Sequence, residues 1–385
     1  MRKIRFVLPS IFLFILILFL LLSFINKQFF VLSVLLFFFM TFGEFVIYLI
    51  TEKGSLDIRT PDGSDEPLHP SVCYIDNDGW NGYNYWMAFT PYPIKSKIYR
   101  DRFECPCVVV SNDGLKWKYL NGKEYIDDLT NNQIAEMDYF SDPELVFVNN
   151  INTLHCYYRL SVGGNGLQDK TVTVYRKSTR DGVNWTERQI ITFCFDIVKD
   201  SNEPVISPAI VFDGTKYYLW FVSDKKVFRM SSDDGVCWYS DVECLLHGEK
   251  IIPWHISIIL INNEYILTIY DMTERITIWK SEDGTNFTFC VTSLLPSKRM
   301  YSYYRATLYR ASVVFDGNYK LYFSAGNTRR NSIGLMSDSS IKNLKVKYIP
   351  FGIYRIRDFK EGWLEKYLIP YKMIYMKVRK LLCRK

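Results

Sequence analysis

Asp142-Pro143-Glu144-Leu145-Val146-Phe147 is one of five segments built alike: a varied residue, two further residues, then three apolar or aromatic ones. The others begin at His69 (His-Pro-Ser-Val-Cys-Tyr), Ser207 (Ser-Pro-Ala-Ile-Val-Phe), His255 (His-Ile-Ser-Ile-Ile-Leu) and Arg310 (Arg-Ala-Ser-Val-Val-Phe). Each is followed by an aromatic-rich strand pattern and a turn. The turns carry Asp113-Gly-Leu-Lys-Trp, Asp181-Gly-Val-Asn-Trp, Asp234-Gly-Val-Cys-Trp and Asp283-Gly-Thr-Asn-Phe, with a decayed fifth copy at Ser337-Asp338-Ser-Ser. From the varied residue to the turn aspartate the distances are 44, 39, 27, 28 and 28 residues. Short strands repeating at this period predict an all-β, five-bladed propeller over residues 60–350.

In a propeller the innermost strand of each blade begins at the central channel. If the five segments are those strands, His69, Asp142, Ser207, His255 and Arg310 converge at one mouth. The constant apolar residues pack between blades, while the varied position meets a ligand. The Asp-Gly turns have a different task. Asp accepts hydrogen bonds from its own turn and Gly supplies positive φ, so these carboxylates read as structural. They resemble the Asp boxes of sialidase-like propellers.

Composition narrows the function. Aromatic residues make up 17% of 385 residues, which suits a β-rich core. The net charge is +6, but residues 360–385 alone hold eight Lys or Arg against Glu361 and Glu365. The rest is near neutral, so no basic face for nucleic acid is expected. Nine cysteines allow but do not indicate a disulfide framework, and Cys105-Pro-Cys107 is too short and isolated for a metal site. No cofactor and no metal ligand is assigned, apart from a channel cation that His255 would suit. His155 and His247 fall off the varied positions and read as structural or solvent-exposed.

The chain ends point to a membrane. Residues 6–25 carry no charge after Arg2, Lys3 and Arg5, and 29–50 is apolar except for Glu44. Each is long enough to cross a bilayer as a helix. Together, over 1–52, they read as a membrane hairpin, with the basic N-terminus and the propeller both on the cytoplasmic face; the alternative, with 29–50 in the interface and Glu44 at its edge, puts the propeller outside. In 351–385, the stretch after Pro370 sets Tyr371, Ile374, Tyr375, Val378, Leu381 and Leu382 on one helical face flanked by Lys and Arg. That is a basic amphipathic helix suited to anionic lipid.

The blade pattern, Ser141-Asp142-Pro143, Asn202-Glu203-Pro204 and Ser207-Pro208-Ala209-Ile210 resemble the five-bladed propellers of glycoside hydrolase families 43, 32 and 68. The resemblance spans about residues 60–350. It implies three carboxylates: a first-blade base, a second-blade Asp and a third-blade acid. Asp142 matches the second, and Glu203 corresponds to the acid. The first-blade position is His69, a departure for which His69 itself, or Asp65, Glu66 or Glu104, would have to compensate. Trp80, Arg305 and Arg310 join Ser207 and His255 as candidate sugar contacts. The resemblance thus implies a membrane-anchored glycosidase acting on a polysaccharide or glycoconjugate. The alternative is a carbohydrate-binding propeller serving cell-surface polysaccharide assembly. A pure protein-interaction scaffold has no reason to converge two His, an Asp and an Arg.

Overall fold

The computed structural model describes residues 27–76, 78–94, 104–122, 124–129, 133, 138–162, 171–198, 205–299, 301–327 and 330–349, with a few residues between 355 and 363. Two compact units appear, Met1–Glu52 and Lys53–Lys385. In the first, α1 (Lys27–Thr51) is the helix expected from 29–50. Its Val31–Thr51 stretch is long and apolar enough to cross a membrane. The other expected span, 6–25, and the basic tail, 371–385, lie outside the described residues.

The second unit is a five-bladed propeller. Blade 1 is β1 (Pro67–Tyr74), β2 (Tyr85–Pro91) and β3 (Cys107–Ser111), with bridges from Lys118 and Tyr125 standing in for a fourth strand. Blade 2 is β4 (Tyr139–Val148), β5 (Thr153–Val162), β6 (Thr171–Thr179) and β7 (Gln189–Ile190). The chain then adds β8 (Thr192–Phe193) to the outer edge of blade 3, which is β9 (Ile206–Phe212), β10 (Tyr217–Ser223), β11 (Lys226–Ser232) and β12 (Cys237–Glu243). Likewise β13 (Leu245–His247) edges blade 4, made of β14 (Pro253–Ile261), β15 (Glu264–Asp271), β16 (Arg275–Ser281) and β17 (Asn286–Leu294). Blade 5 is β18 (Thr307–Phe315), β19 (Tyr319–Gly326), β20 (Asn331–Asp338) and β21 (Lys345–Val346).

The five sequence segments are the inner strands β1, β4, β9, β14 and β18. They neighbour one another in a closed ring. Five hydrophobic clusters lie one in each seam between blades. The Asp-Gly turns tie the seams from outside. Asp283 Oδ1 accepts the amides of Thr285 and Asn286 at 2.7 and 2.8 Å, and Asp113, Asp181 and Asp234 repeat this. The turn glycines press on aromatics of the preceding blade. A Cβ at Gly182 would overlap the Trp86 ring, and the carbonyl of Gly284 accepts the Trp220 indole at 2.7 Å.

Inner strands are sheet edges, and their amides face the next blade rather than a ladder partner. Side chains two residues after the varied position satisfy them. Ser71 Oγ accepts from Leu145 at 2.9 Å, Glu144 Oε1 from Ile210 at 3.1 Å, and Ser312 Oγ from Val72 at 2.9 Å. Where that position is Ala209, Ser207 takes over: its Oγ accepts from Ile256 at 3.0 Å. Glu144 also holds buried Arg310 at 2.6 Å. Removing Glu144 leaves that guanidinium uncompensated. Glu144→Ala should therefore cost about 3–5 kcal/mol of unfolding free energy, and Glu144→Gln less, measured by urea denaturation followed by tryptophan fluorescence.

Candidate active site at the channel mouth

Every inner strand carries a register shift at the varied residue: Leu68/Ser71, Ser141/Glu144, opposite Trp220/Val222, Pro253/His255 and Leu308/Ala311. Such bulges re-aim a side chain while the ladder continues. His69, Asp142 and Ser207 sit at φ 55, 50 and 52°, where a non-glycine residue is strained by about 1 kcal/mol. The surrounding inter-blade bonds hold them there.

A cavity of about 490 Å³ opens at this end of the channel, lined among others by His69, Asp142, His255, Glu104, Arg159, Trp254 and Tyr309. His69, Asp142 and His255 each offer a ligand atom, and these atoms lie within 4.8 Å of one another. Asp142 Oδ2 accepts from Arg159 at 2.8 Å and from the Ser207 amide at 3.3 Å. Its Oδ1 stands 3.5 Å from His255 Nδ1. Asp142 Oδ1 and both ring nitrogens of His255 are buried without a hydrogen-bond partner. Buried polar atoms are normally paired, so this pattern marks a ligand position. Two imidazoles and a carboxylate suit a divalent transition ion. His69, Asp142 and His255 are thus the residues that could hold one, although the sequence alone assigned no metal ligand.

The electrostatics fit that set. Burial alone would raise the Asp142 carboxyl, but the charges that face it, those of Arg159 and Arg310 among them, outweigh burial and hold it far below the ordinary range. Arg159, in direct contact, is its counter-ion. Burial keeps His255 neutral, well below an ordinary imidazole, although Asp142 pulls the other way. A neutral imidazole has no proton to shed before binding a cation. Glu104 Oε2 lies 3.1 Å from His69 Nδ1 and accepts the Thr90 hydroxyl at 3.1 Å. Burial raises the Glu104 carboxyl, against the pull of His69, and the charge of Asp142 adds to the rise. Tyr309 packs edge-on against His255 with ring centroids 4.1 Å apart, and its hydroxyl accepts from the Trp254 indole at 3.0 Å.

The remaining candidates are elsewhere. Ser207 is fully buried under the cavity as an inter-blade tie. Arg310 is fully buried too, turned to Glu144 and the Pro208 carbonyl. Glu66 receives the amides of Ile94 and Asn331 behind the cavity wall, and Asp65 pairs with Arg59 at 2.7 Å. Trp80 packs on Trp86 and Phe147 in the seam of blades 1 and 2. Arg305 is half-buried and does not line the cavity. Glu203 lies outside the described residues. Arg159, Trp254 and Tyr309 were not singled out from sequence. Trp254 and Tyr309 flank varied positions, which is the signal that could have found them; Arg159 comes from a second strand and has none.

No protein-family model matches the chain. It is similar to the A type blood N-acetyl-α-D-galactosamine deacetylase of Flavonifractor plautii, at 23% identity over 78% of this chain and 45% of that protein. The chain thus spans less than half the length of this curated relative. The crystal structure of an N-acetylgalactosamine deacetylase from F. plautii, in complex with blood group B trisaccharide, superimposes with TM-score 0.60 at 21% identity. The match covers 74% of this chain and 94% of that one. A GH43_1 enzyme from Xanthomonas citri complexed with xylotriose gives TM-score 0.51 at 12% identity, covering 80% and 98%. A family 117 glycoside hydrolase from Zobellia galactanivorans gives 0.52 at 16%, covering 77% and 95%. The fold is therefore the glycoside-hydrolase type of five-bladed propeller.

Titration calorimetry with Mn²⁺ or Zn²⁺ should find one strong site per chain. His255→Ala or Asp142→Ala should weaken it about 100-fold or more, and Ser207→Ala should leave it within a few-fold. Because His255 stays neutral well below an ordinary imidazole pKa of about 6.5, its contribution to affinity should survive a fall in pH through that value.

Proposed function

We propose that this protein removes the acetyl group from an N-acetylated amino sugar of a glycan, by metal-assisted amide hydrolysis. The observation that carries the reading is the trio His69, Asp142 and His255, with its partnerless buried oxygen and nitrogens. The similarity to an N-acetylgalactosamine deacetylase agrees with it. The sugar identity, the linkage and the protein's partners belong to the same proposal.

Water attacks the acetamide carbonyl, the C–N bond breaks, and acetate and an amine leave. A divalent ion held by the trio supplies Lewis acidity, which makes a carbonyl more electrophilic and a water more acidic. The protein's own groups manage protons and orientation. Glu104, with its carboxyl raised by burial, takes a proton from the attacking water and returns it to the departing nitrogen. His69 faces Glu104 through Nδ1, which fixes its ring and directs its other nitrogen to the trio. Burial keeps the Tyr309 hydroxyl protonated. With its oxygen accepting from Trp254, it retains a proton for the carbonyl oxygen of the substrate. The walls of Trp254, Tyr309 and Tyr92 offer faces for sugar rings.

Glycosidic hydrolysis fits the described residues less well. It requires a carboxylic acid opposite a second carboxylate, and the expected acid, Glu203, lies outside the described residues. The first-blade carboxylate is replaced by His69. In this reading both apolar stretches, 6–25 and α1, cross the membrane, and the basic N-terminus then favours the cytoplasmic face for the propeller.

The test is product analysis on oligosaccharides ending in N-acetylgalactosamine or N-acetylglucosamine, with full-length protein in detergent and added Mn²⁺ or Zn²⁺. Acetate and free amine should appear together. Asp142→Asn and His255→Gln should each lower kcat/KM by about 100-fold or more. Activity should fall as pH drops through the raised Glu104 value, and Glu104→Gln should lose that acid limb along with most of the rate. New reducing ends without acetate would assign a glycosidase instead. Saturable binding with neither product would leave a carbohydrate-binding propeller.

A further inference from the structure

The segment that follows α1 is pinned between the cavity wall and an exposed basic and aromatic face. The helix ends at Thr51, and from Ser55 onward the chain is tied to blade 5. Arg330 Nη2 donates to Ser55 Oγ at 3.2 Å, and the Leu56 amide donates to the Ile333 carbonyl at 2.9 Å. Leu56 and Ile58 are buried in the seam of blades 5 and 1. Whatever angle α1 takes, four residues of chain reach at most about 14 Å from Thr51 to Ser55.

Lys53, two residues past Thr51, lies against an aromatic and basic patch of the chain that follows blade 5. The Lys53 ammonium stands 5.8 Å from the Tyr348 ring centroid, and the Arg355 guanidinium 5.1 Å. Tyr348 is 44% exposed and Ile356 61%. Lys345 and Lys347 are exposed on the same short run, which contains no acidic residue. An exposed tyrosine with a lysine and an arginine against its ring, and an exposed isoleucine next to that arginine in the chain, suit the boundary of a bilayer, where aromatic rings sit among headgroups and basic side chains meet anionic lipid. Asn331, next to Arg330 at the start of β20, lines the cavity, and Lys345 pairs with Ser337 further along the same strand.

We propose that this face, Lys53, Lys345, Lys347, Tyr348 and Ile356, rests on an anionic phospholipid surface. The inference rests on reading α1 as a membrane anchor, and it extends the proposed activity to glycans carried on lipids of the same bilayer. A cavity that shares β20 with that face meets sugars carried near the headgroups rather than glycans in free solution.

The full chain is reconstituted in phosphatidylcholine vesicles with or without phosphatidylglycerol, using lipids brominated near the headgroup end of the acyl chain. A tryptophan introduced by Tyr348→Trp, or by Ile356→Trp should the first variant misfold, reports contact by quenching relative to the parent protein. Quenching should be clear, should grow several-fold with phosphatidylglycerol, and should fall when Lys345→Glu and Lys347→Glu are added. In the same vesicles those two lysine changes should slow acetate release from an N-acetylhexosamine glycolipid several-fold and leave a soluble oligosaccharide unaffected. No extra quenching at either position, or quenching indifferent to phosphatidylglycerol and to the lysines, overturns the surface. Equal effects on both substrates overturn the extension to lipid-borne glycans. If neither substrate yields acetate, the deacetylase reading and the extension built on it both fail, and quenching alone decides the surface.

Discussion

An edge strand has amides with nowhere to go, and a propeller puts five edges around one axis. Water in a narrow channel is a poor solution, because a buried amide without a partner costs about 1–3 kcal/mol. This chain satisfies them laterally. A polar side chain on one inner strand accepts the amide three residues past the varied position on the next: Ser71 for Leu145, Glu144 for Ile210, Ser312 for Val72. The rule has a direction around the ring. At Ala209 it breaks, and Ser207 substitutes by moving the acceptor back two residues. That duty keeps Ser207 out of the ligand space.

The same bonds permit the strain above them. Left-handed backbone at His69, Asp142 and Ser207 persists only because neighbouring strands over-determine it. The bulges then turn His69, Asp142 and His255 towards the mouth without shifting the ladders below. Asp142 is the centre of what results. One oxygen is committed to Arg159 and the Ser207 amide, while the other faces His255 with no hydrogen bond. A carboxylate split in this way is fixed in ionisation and orientation, which is what a ligand to a cation needs and what a proton donor cannot use.

The repeat made the ring legible, since apolar triplets and Asp-Gly turns obey local rules of strand and turn. It also identified three of the residues that meet at the mouth, because His69, Asp142 and His255 share one offset. The offset could not tell where a long side chain would go. Arg310 has the reach to turn down the channel to Glu144, and its charge is met there. Glu144 itself lies two places after a varied residue, where three of the other four segments carry serine, a regularity that states its role. Arg159 stands on β5, opposite Ser141, and no repeat predicts it. Pairing between strands fixes it, so it becomes visible only with the register.

The tie between Ser312 and Val72 joins positions 240 residues apart. During synthesis the first blade leaves the ribosome long before its acceptor exists. At rates of about 5–20 residues per second, that edge waits on the order of 10–50 seconds. Until then β1, paired with β2 on one side, leaves its channel edge and its seam face open to another nascent chain. Leu56 and Ile58, emerging first and packing in the same seam, cannot close it either, since their partners in blade 5 are also still unmade. The ring is therefore vulnerable for as long as it is being translated, and its yield should depend on what shields blade 1 while blade 5 is on its way.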